Sequence, residues 1–281
     1  MQERRRRWPF LVMLLFVMFV LLVFLAGTVL SPAKGEMSGS AVASEAMVIK
    51  AEAVEVLFDK SGWRDGHRHV EQKIMPRLFD MIERADDCIV LDMFLLNGFG
   101  SLPADVSAEN RRDLSHDLIK ALAEKKRRSP EIFILFVTDP INAVYSARCP
   151  PAFKELAAAG GSVVCTDLRQ MPDSNLVYSP FYRVARPFMR YVPGVHKPLM
   201  QNPFGGRRSP MEKVGIAQLA ALLNFKANHR KVALIKNGDS RWEALVTSAN
   251  PHTASSLHGN VAVHLTAGPL TEMVRSEYLI A

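Results

Sequence analysis

The sequence predicts an α/β domain whose mixed, largely parallel sheet is flanked by helices and preceded by one transmembrane helix. From residue 51 onward, short apolar runs alternate with amphipathic helical patterns, as in layered α/β domains. The run 88–96 is almost continuously apolar, which indicates a strand covered on both faces. Residues 8–30 contain no charged side chain.

The N-terminal region divides into three parts. Residues 1–7 form a basic stub with four consecutive arginines, and residues 8–30 follow as an uncharged apolar run. At about 1.5 Å per residue this run can cross a bilayer as a helix. The arginines before it predict a cytoplasmic N-terminus, with residues 51–281 on the extracytoplasmic, periplasmic side of the cell membrane. Residues 31–50 are rich in Ser, Ala, Gly and Met and are interpreted as a linker.

A cleaved signal peptide is the alternative to a single-pass anchor. The small residues at 41–43 would suit a cleavage site. The apolar run is longer than a usual signal core, which favours the uncleaved anchor. Either interpretation exports the rest of the chain.

Residues 51–281 are predicted to form one domain. A helix is expected over 66–85 because apolar side chains recur there at helical spacing. Proline at the start and two glycines after the end predict a helix over 151–159. The remaining helices are expected at 111–126, 211–225 and 268–280, and strands at 54–58, 88–96, 132–137, 162–165, 260–266 and in the apolar runs that begin near 229 and 245.

Two of these runs carry polar side chains at strand spacing. His229 and Lys231 stand two apart at the head of one run, and Ser248 and Asn250 follow the next. Alternate residues of a strand share a face, so the four side chains converge if the runs lie side by side. Lysine, serine and asparagine can hold phosphate oxygens. An imidazole can attack phosphorus and form a covalent intermediate.

This His-x-Lys and Thr-Ser-x-Asn arrangement resembles the signature of the phospholipase D superfamily. The strand 88–97 after a helix also looks like the early part of that family's domain, so the resemblance covers most of 51–281. It implies a phosphohistidine mechanism that cleaves or exchanges phosphodiesters without metal or other cofactor. It also implies that His229 is the nucleophile, that Lys231 and Asn250 hold the phosphate oxygens, and that Ser248 supports them.

The chain departs from the family pattern at two acidic positions. Where the family usually has an Asp after the Lys, this sequence has Lys236, and where it tends to have an acid after the Asn, this sequence has Val261. The residue that orients His229 therefore stays open, with Asp239 and Glu243 as candidates.

Residues 174–210 differ from their surroundings because they hold basic and aromatic residues and no Asp or Glu. We expect a long irregular loop, which in compact domains is usually functional or disordered. It would wall the active site and bind an anionic surface, either phospholipid headgroups or a nucleic-acid backbone. The expected substrate-binding residues are Arg183, Arg186, Arg190 and Lys197. The alternative is local packing of the aromatics with solvated arginines.

Charge and cysteines constrain the function less. Residues 3–7 contribute three of the seven net positive charges. The small net charge of the remaining chain does not require a nucleic-acid partner. Cys88 lies in an apolar run, whereas Cys149 and Cys165 flank a helix and would be able to bridge in an oxidising compartment. No zinc-binding spacing is present, and no metal is expected.

In the resembled family a second copy of the motif supplies the general acid, and this sequence holds one copy. Two chains pairing as a homodimer, a sequence that is the first half of a longer protein, and an inactive relative are the three explanations. The leading prediction is a membrane-anchored phosphodiesterase that cleaves or transfers phosphatidyl groups. The alternatives are an exported nuclease of the same superfamily and an inactive phosphate- or lipid-binding protein.

Overall fold

The computed structural model describes residues 2–31, 46, 48–96, 113–143, 150–201, 213–237, 241–252, 255–268 and 270–280. The chain forms two units. The smaller consists of Met1–Met37, Arg169–Met200 and Val214–Lys226, and the larger of Ser38–Leu168, Gln201–Lys213 and Ala227–Ala281. This division differs from the expected boundary at residue 51, because the N-terminal helix groups with segments from the middle of the chain.

Seven helices and ten strands lie in the described part of the chain. The helices are α1 (Gln2–Val29), α2 (Ile74–Arg84), α3 (Leu114–Arg128), α4 (Pro151–Ala158), α5 (Tyr178–Met189), α6 (Ile216–Leu222) and α7 (Leu270–Ile280). The strands are β1 (Val54–Arg64), β2 (His67–Glu71), β3 (Cys88–Met93), β4 (Phe133–Thr138), β5 (Ser162–Cys165), β6 (Met200–Gln201), β7 (Lys213–Val214), β8 (Lys231–Lys236), β9 (Trp242–Thr247) and β10 (Asn260–Leu265).

Eight strands of the larger unit form one mixed sheet in the order β2-β1-β10-β9-β8-β3-β4-β5. Only the pairs β3–β4 and β4–β5 are parallel among these strands, and the other neighbours are antiparallel. The expectation of a largely parallel sheet is therefore wrong. A buried apolar run indicates that a strand is covered on both faces, but it does not indicate the direction of the strand. The short connection between β8 and β9 requires that these two strands pair antiparallel.

Helices cover both faces of this sheet. One core cluster joins the sheet to α2, α3 and α4 through residues such as Leu78, Leu118 and Leu156. The other joins β3, β4 and β8 to α7 through Val90, Leu234 and Leu270, among others. All six residues of β3 are buried, which confirms the prediction of a strand covered on both sides.

The predicted helix over 66–85 is wrong in its first part. Residues 67–71 form β2, which pairs with β1 through a tight turn at Asp65 and Gly66. Both turn residues have positive φ, 53° and 78°, and Asp-Gly is a strong signal for such a hairpin turn. The helix begins only at Ile74, where the carboxylate of Asp59 accepts from the backbone N–H of Lys73 at 2.7 Å and of Ile74 at 3.0 Å.

In the smaller unit, α1 contains the segment Val12–Val29, which is long and apolar enough to cross a membrane. A signal sequence meets the same criteria of length and composition. The helix α5 packs against the end of this segment. The prediction of an irregular loop over 174–210 is therefore wrong for part of this segment, since α5 lies within it. This helix buries Ser179 and Pro180.

Candidate active site

The two halves of the sequence motif meet at one edge of the sheet. Because β8 and β9 are antiparallel, the start of β8 lies beside the end of β9, with Val232 opposite Val246. His229 and Lys231 stand at the start of β8, and Ser248 and Asn250 follow β9. The two runs therefore lie side by side, as the convergence of the motif requires.

His229 and Lys231 contact each other directly. The Lys231 ammonium nitrogen lies 3.2 Å from Nδ1 of His229 and donates to the His229 carbonyl oxygen at 2.9 Å. The Phe94 ring packs on the imidazole at 4.4 Å between centroids, and Lys231 Nζ lies 5.1 Å from the Phe94 centroid, within cation–π range. His229 is exposed, whereas Lys231 is only 6% exposed. A substrate can therefore reach the ring while the charge behind it is held in place.

This environment favours a neutral imidazole. Partial burial, together with the charge of Lys231, lowers the pKa of His229. Burial also lowers the pKa of Lys231, and the nearby Asp92 carboxylate acts in the opposite direction. A neutral ring is the form that can act as a nucleophile.

Asn250 joins these two residues through the segment after β3. Its side-chain oxygen accepts from the backbone N–H of Leu95 at 3.2 Å, next to the Phe94 that contacts His229. Because the oxygen is used in this way, the amide nitrogen of the buried Asn250 is oriented as a donor. The structure thus brings His229, Lys231 and Asn250 around one short segment.

Ser248 is not brought into this group. Its exposed hydroxyl donates to the Asn260 side chain at 3.3 Å and accepts from the backbone N–H of Val261 at 3.0 Å. Both partners belong to β10, so the hydroxyl is bonded within the sheet edge. This placement differs from the expected support of the phosphate.

Glu243 is also placed differently from the expectation. It pairs with Ile235 in the sheet, four residues along β8 from Lys231, which is about 13 Å at the usual rise of a strand. Its carboxylate binds Arg84 at 2.9 Å, His264 at 2.9 Å and Asn237 at 2.6 Å. Glu243 therefore cannot orient His229. Asp239 lies outside the described residues, and within them the ring hydrogen-bond partner of His229 is Lys231.

Behind the motif lies a buried polar cluster that the sequence analysis missed. Its members are Asp92, Asp139, Thr166, Asn228, Arg230 and Glu277. Asn228, the residue before His229, donates from its side chain to both Asp92 oxygens and to Thr166 at 2.9 Å each. Its backbone N–H donates to Asp139 at 2.7 Å. The interruption of an apolar strand by Asp92 was the available signal, since a fully buried carboxylate needs partners.

The cluster continues to α7 through Arg230. This residue lies between His229 and Lys231, and its guanidinium binds Glu277 at 3.2 Å. Burial raises the pKa of Glu277 to about 8, and the nearby Asp92 carboxyl adds to the effect. Burial likewise raises the pKa of Asp92 and that of Asp139, to about 6. At neutral pH Glu277 therefore keeps its proton beside Asp92, and the Asp92 carboxyl oxygens accept the side-chain bonds from Asn228.

The expected substrate-binding residues belong to the smaller unit. Arg183 donates to the Asp173 carboxylate and to the Gly27 carbonyl oxygen, so its charge is already satisfied. Arg190 stacks on Tyr191 with 4.7 Å between the guanidinium carbon and the ring centroid. Arg186 and Lys197 are exposed. The wall that these residues would form at the active site stays a prediction.

Neither a metal site nor the disulfide can be assigned. Among the described residues, no group of three or more His, Cys, Asp or Glu side chains could hold a metal ion. Cys149, one half of the expected bridge to Cys165, lies outside the described residues.

No protein-family model matches the chain, and no curated protein sequence matches it. A solved structure of a phospholipase D family member, Nuc from Salmonella typhimurium, is 14% identical over 80% of this chain and 90% of that chain, with a TM-score of 0.39. A TM-score this low does not establish a common fold.

Proposed function

We propose that the protein is a membrane-anchored phosphodiesterase of the phospholipase D type that cleaves or transfers phosphatidyl groups through a phosphohistidine at His229. The contact of Lys231 Nζ with His229 Nδ1, at 3.2 Å, carries this proposal. It places a buried cation beside an exposed, neutral imidazole, with the Asn250 amide donor at the same sheet edge. These three side chains would offer a bound phosphodiester a nucleophile, a positive charge and a neutral hydrogen-bond donor.

Substrate binding must change the state of the ring. An ammonium can only donate, so in the contact with Lys231 the Nδ1 atom accepts and the proton of the neutral ring resides on Nε2. Attack by Nε2 requires the other tautomer. A phosphate oxygen that draws Lys231 toward itself would release Nδ1 to hold the proton. Lys231 would then stabilise charge on the phosphoryl oxygens, and Nε2 would be free to attack.

The reaction proceeds in two displacements. Nε2 of His229 forms a bond to phosphorus while the bond to the leaving alcohol breaks, and a general acid gives that alcohol a proton. Water, or an acceptor alcohol, then attacks the phosphohistidine, loses its proton to a base, and releases His229. Hydrolysis and transfer differ only in this second nucleophile.

We propose that a second copy of the chain supplies the general acid, because one motif contributes one histidine. A surface for such a partner is available on the larger unit. Val56, Phe58 and Val261 are exposed on neighbouring strands β1 and β10, and an apolar patch of this kind favours association. Phe58→Glu should lower both the mass of the particle in light scattering and the activity, whereas Trp63→Glu in the exposed β1–β2 hairpin should change neither.

Turnover of phosphatidylglycerol and of bis-p-nitrophenyl phosphate by the purified full chain in detergent tests the proposal. Rapid alkaline quenching and mass spectrometry should find a phosphoryl adduct on His229. The adduct and turnover should disappear in His229→Ala and persist in His69→Ala, which removes an exposed histidine of the β1–β2 hairpin. Cleavage of single-stranded DNA without lipid turnover would instead indicate the nuclease, and no adduct in an active dimer would rule out the mechanism.

A further inference from the structure

The end of the candidate membrane span is part of the smaller unit. The Phe24 ring of α1 packs on Phe181 of α5 at 5.8 Å between centroids. Gly27 lies against the backbone of Pro180 so closely that any side chain there would collide with it. Both α1 residues belong to the last turns of Val12–Val29. The first half of α5 is therefore fixed at the level where the span ends.

Arg183 strengthens this joint. It donates to the carbonyl oxygen of Gly27, one of the last carbonyls of α1, which have no partner within their own helix. The Asp173 carboxylate binds the same guanidinium and also the Lys226 ammonium, at 2.9 Å. A cation at the C-terminal end of a helix also interacts favourably with its dipole. Arg183 thus has a structural role at the end of the span.

The second half of α5 leads away from this joint and exposes apolar side chains. Phe188, Tyr191 and Val192 are 65%, 69% and 53% exposed. Their spacing of three and four residues places them on one side of the helical path, which continues past Met189 through the turn bonds Tyr191 N–H to Phe188 O and Val192 N–H to Met189 O. Water is an unfavourable surrounding for such a group.

Basic residues border this apolar group. Arg186, Arg190 and Lys197 are exposed, and no Asp or Glu occurs between residues 174 and 210. Apolar and aromatic side chains flanked by arginine and lysine are typical of segments that lie in the plane of a membrane surface and contact anionic headgroups.

We infer that the C-terminal half of α5 and residues 190–192 lie in the surface of the bilayer that α1 spans, with Phe188, Tyr191 and Val192 at the boundary between headgroups and acyl chains. This second membrane contact rests on the membrane anchoring in the proposed function and is independent of the chemistry at His229. It assigns the basic residues of the smaller unit to the membrane surface rather than to the reacting phosphodiester.

A photo-crosslinking experiment on the full chain tests this contact. Benzoylphenylalanine replaces one aromatic residue at a time, at Phe188 or Tyr191, in protein reconstituted into vesicles of phosphatidylethanolamine and phosphatidylglycerol. Phe19, in the span, reports whether α1 lies in the bilayer. Trp63, which is 63% exposed on the larger unit, is the matched control. Lipid adducts after illumination are counted by mass spectrometry, a readout that needs no turnover.

We expect lipid adducts at positions 19, 188 and 191, with about tenfold lower yield at position 63, because only groups buried in the acyl boundary contact lipid continuously. Adducts at 19 but not at 188 and 191 would overturn the inference and leave the anchor intact. Crosslinks from 188 or 191 to protein would assign the patch to another segment or to a second copy. Absence of adducts at 19 as well would overturn the inference together with the anchor, whatever the phosphodiesterase assay shows.

Discussion

The side-chain amide of Asn228 donates to both carboxylate oxygens of Asp92, at 2.9 Å each. Asp92 belongs to the fully buried β3, and Asn228 directly precedes His229. The backbone N–H of Asn228 is held as well, by Asp139. The position of the exposed imidazole is therefore set by a buried polar frame on its N-terminal side.

Asn228→Ala should destabilise the protein because it leaves the buried Asp92 and Thr166 without their amide donor. A buried group that loses its partner costs about 1–3 kcal/mol, so the free energy of unfolding in urea should fall by about that amount. Asn224→Ala is the matched control, since Asn224 is equally buried but donates only to carbonyls of its own helix, at 3.2 and 3.4 Å. Equal losses in both variants would contradict the special role of Asn228.

Lys231→Met should raise the pKa of His229, because partial burial and the Lys231 charge together lower it. The variant removes the second of these causes and keeps an unbranched side chain of similar length. NMR titration of the histidine ring in the full chain would follow the change. Lys236→Met is the control, since Lys236 pairs with Asp87 at the far end of β8 and should leave the His229 pKa unchanged. An unaltered titration in Lys231→Met would show that the contact does not persist in solution.

Local patterns in the sequence predict much of this fold. Proline at the start and Gly160-Gly161 after the end locate α4 within a residue, and the apolar run from Cys88 predicts the covered strand β3. The register of β8 with β9 supports the convergence predicted from His229 and Asn250, since both follow from the period of a strand.

Contacts between distant segments account for what the sequence does not reveal. Asn228 and Asp92 are 136 residues apart, and no local pattern pairs them. The same holds for Glu243, which lies near His229 in sequence but is bound by Arg84 and His264 across the sheet. The hairpin at Asp65 and Gly66 is different, because its turn signal was present and the helical spacing of later residues outweighed it.

Glu243→Gln should lower stability and leave catalysis unchanged. Burial opposes ionisation of this carboxyl, but bonds from Arg84, His264 and Asn237 hold its pKa below the usual range. The variant weakens these charge-assisted bonds, each worth about 1.5–3 kcal/mol, so thermal unfolding should begin at a lower temperature. Steady-state turnover of the phosphodiester below that temperature should match the parent chain. A large fall in kcat with unchanged stability would contradict a purely structural role for Glu243.

Glu277→Gln should flatten the dependence of stability on pH. Burial raises the pKa of Glu277 to about 8 in the folded chain, whereas an unfolded glutamate titrates near about 4.3. Between these values the folded chain holds a proton that the unfolded chain has lost, so stability falls as pH rises through this window and the loss is complete above the folded pKa. An amide of the same shape carries no proton that titrates in this window. Urea midpoints from about pH 5.5 to pH 8.5 should therefore fall less steeply in the variant than in the parent chain.

Glu272→Gln provides the control for this titration, since Glu272 is exposed on the same helix, α7. Its profile should run parallel to that of the parent chain. Arg230, which binds Glu277 at 3.2 Å, works against the retained proton, because its charge favours the ionised carboxylate. Arg230→Met should therefore move the fall in stability to higher pH. Parallel profiles for the parent chain and Glu277→Gln would mean that the charge of Arg230 outweighs burial and keeps Glu277 ionised over this pH range. Asp92, and not Glu277, would then hold the proton behind His229.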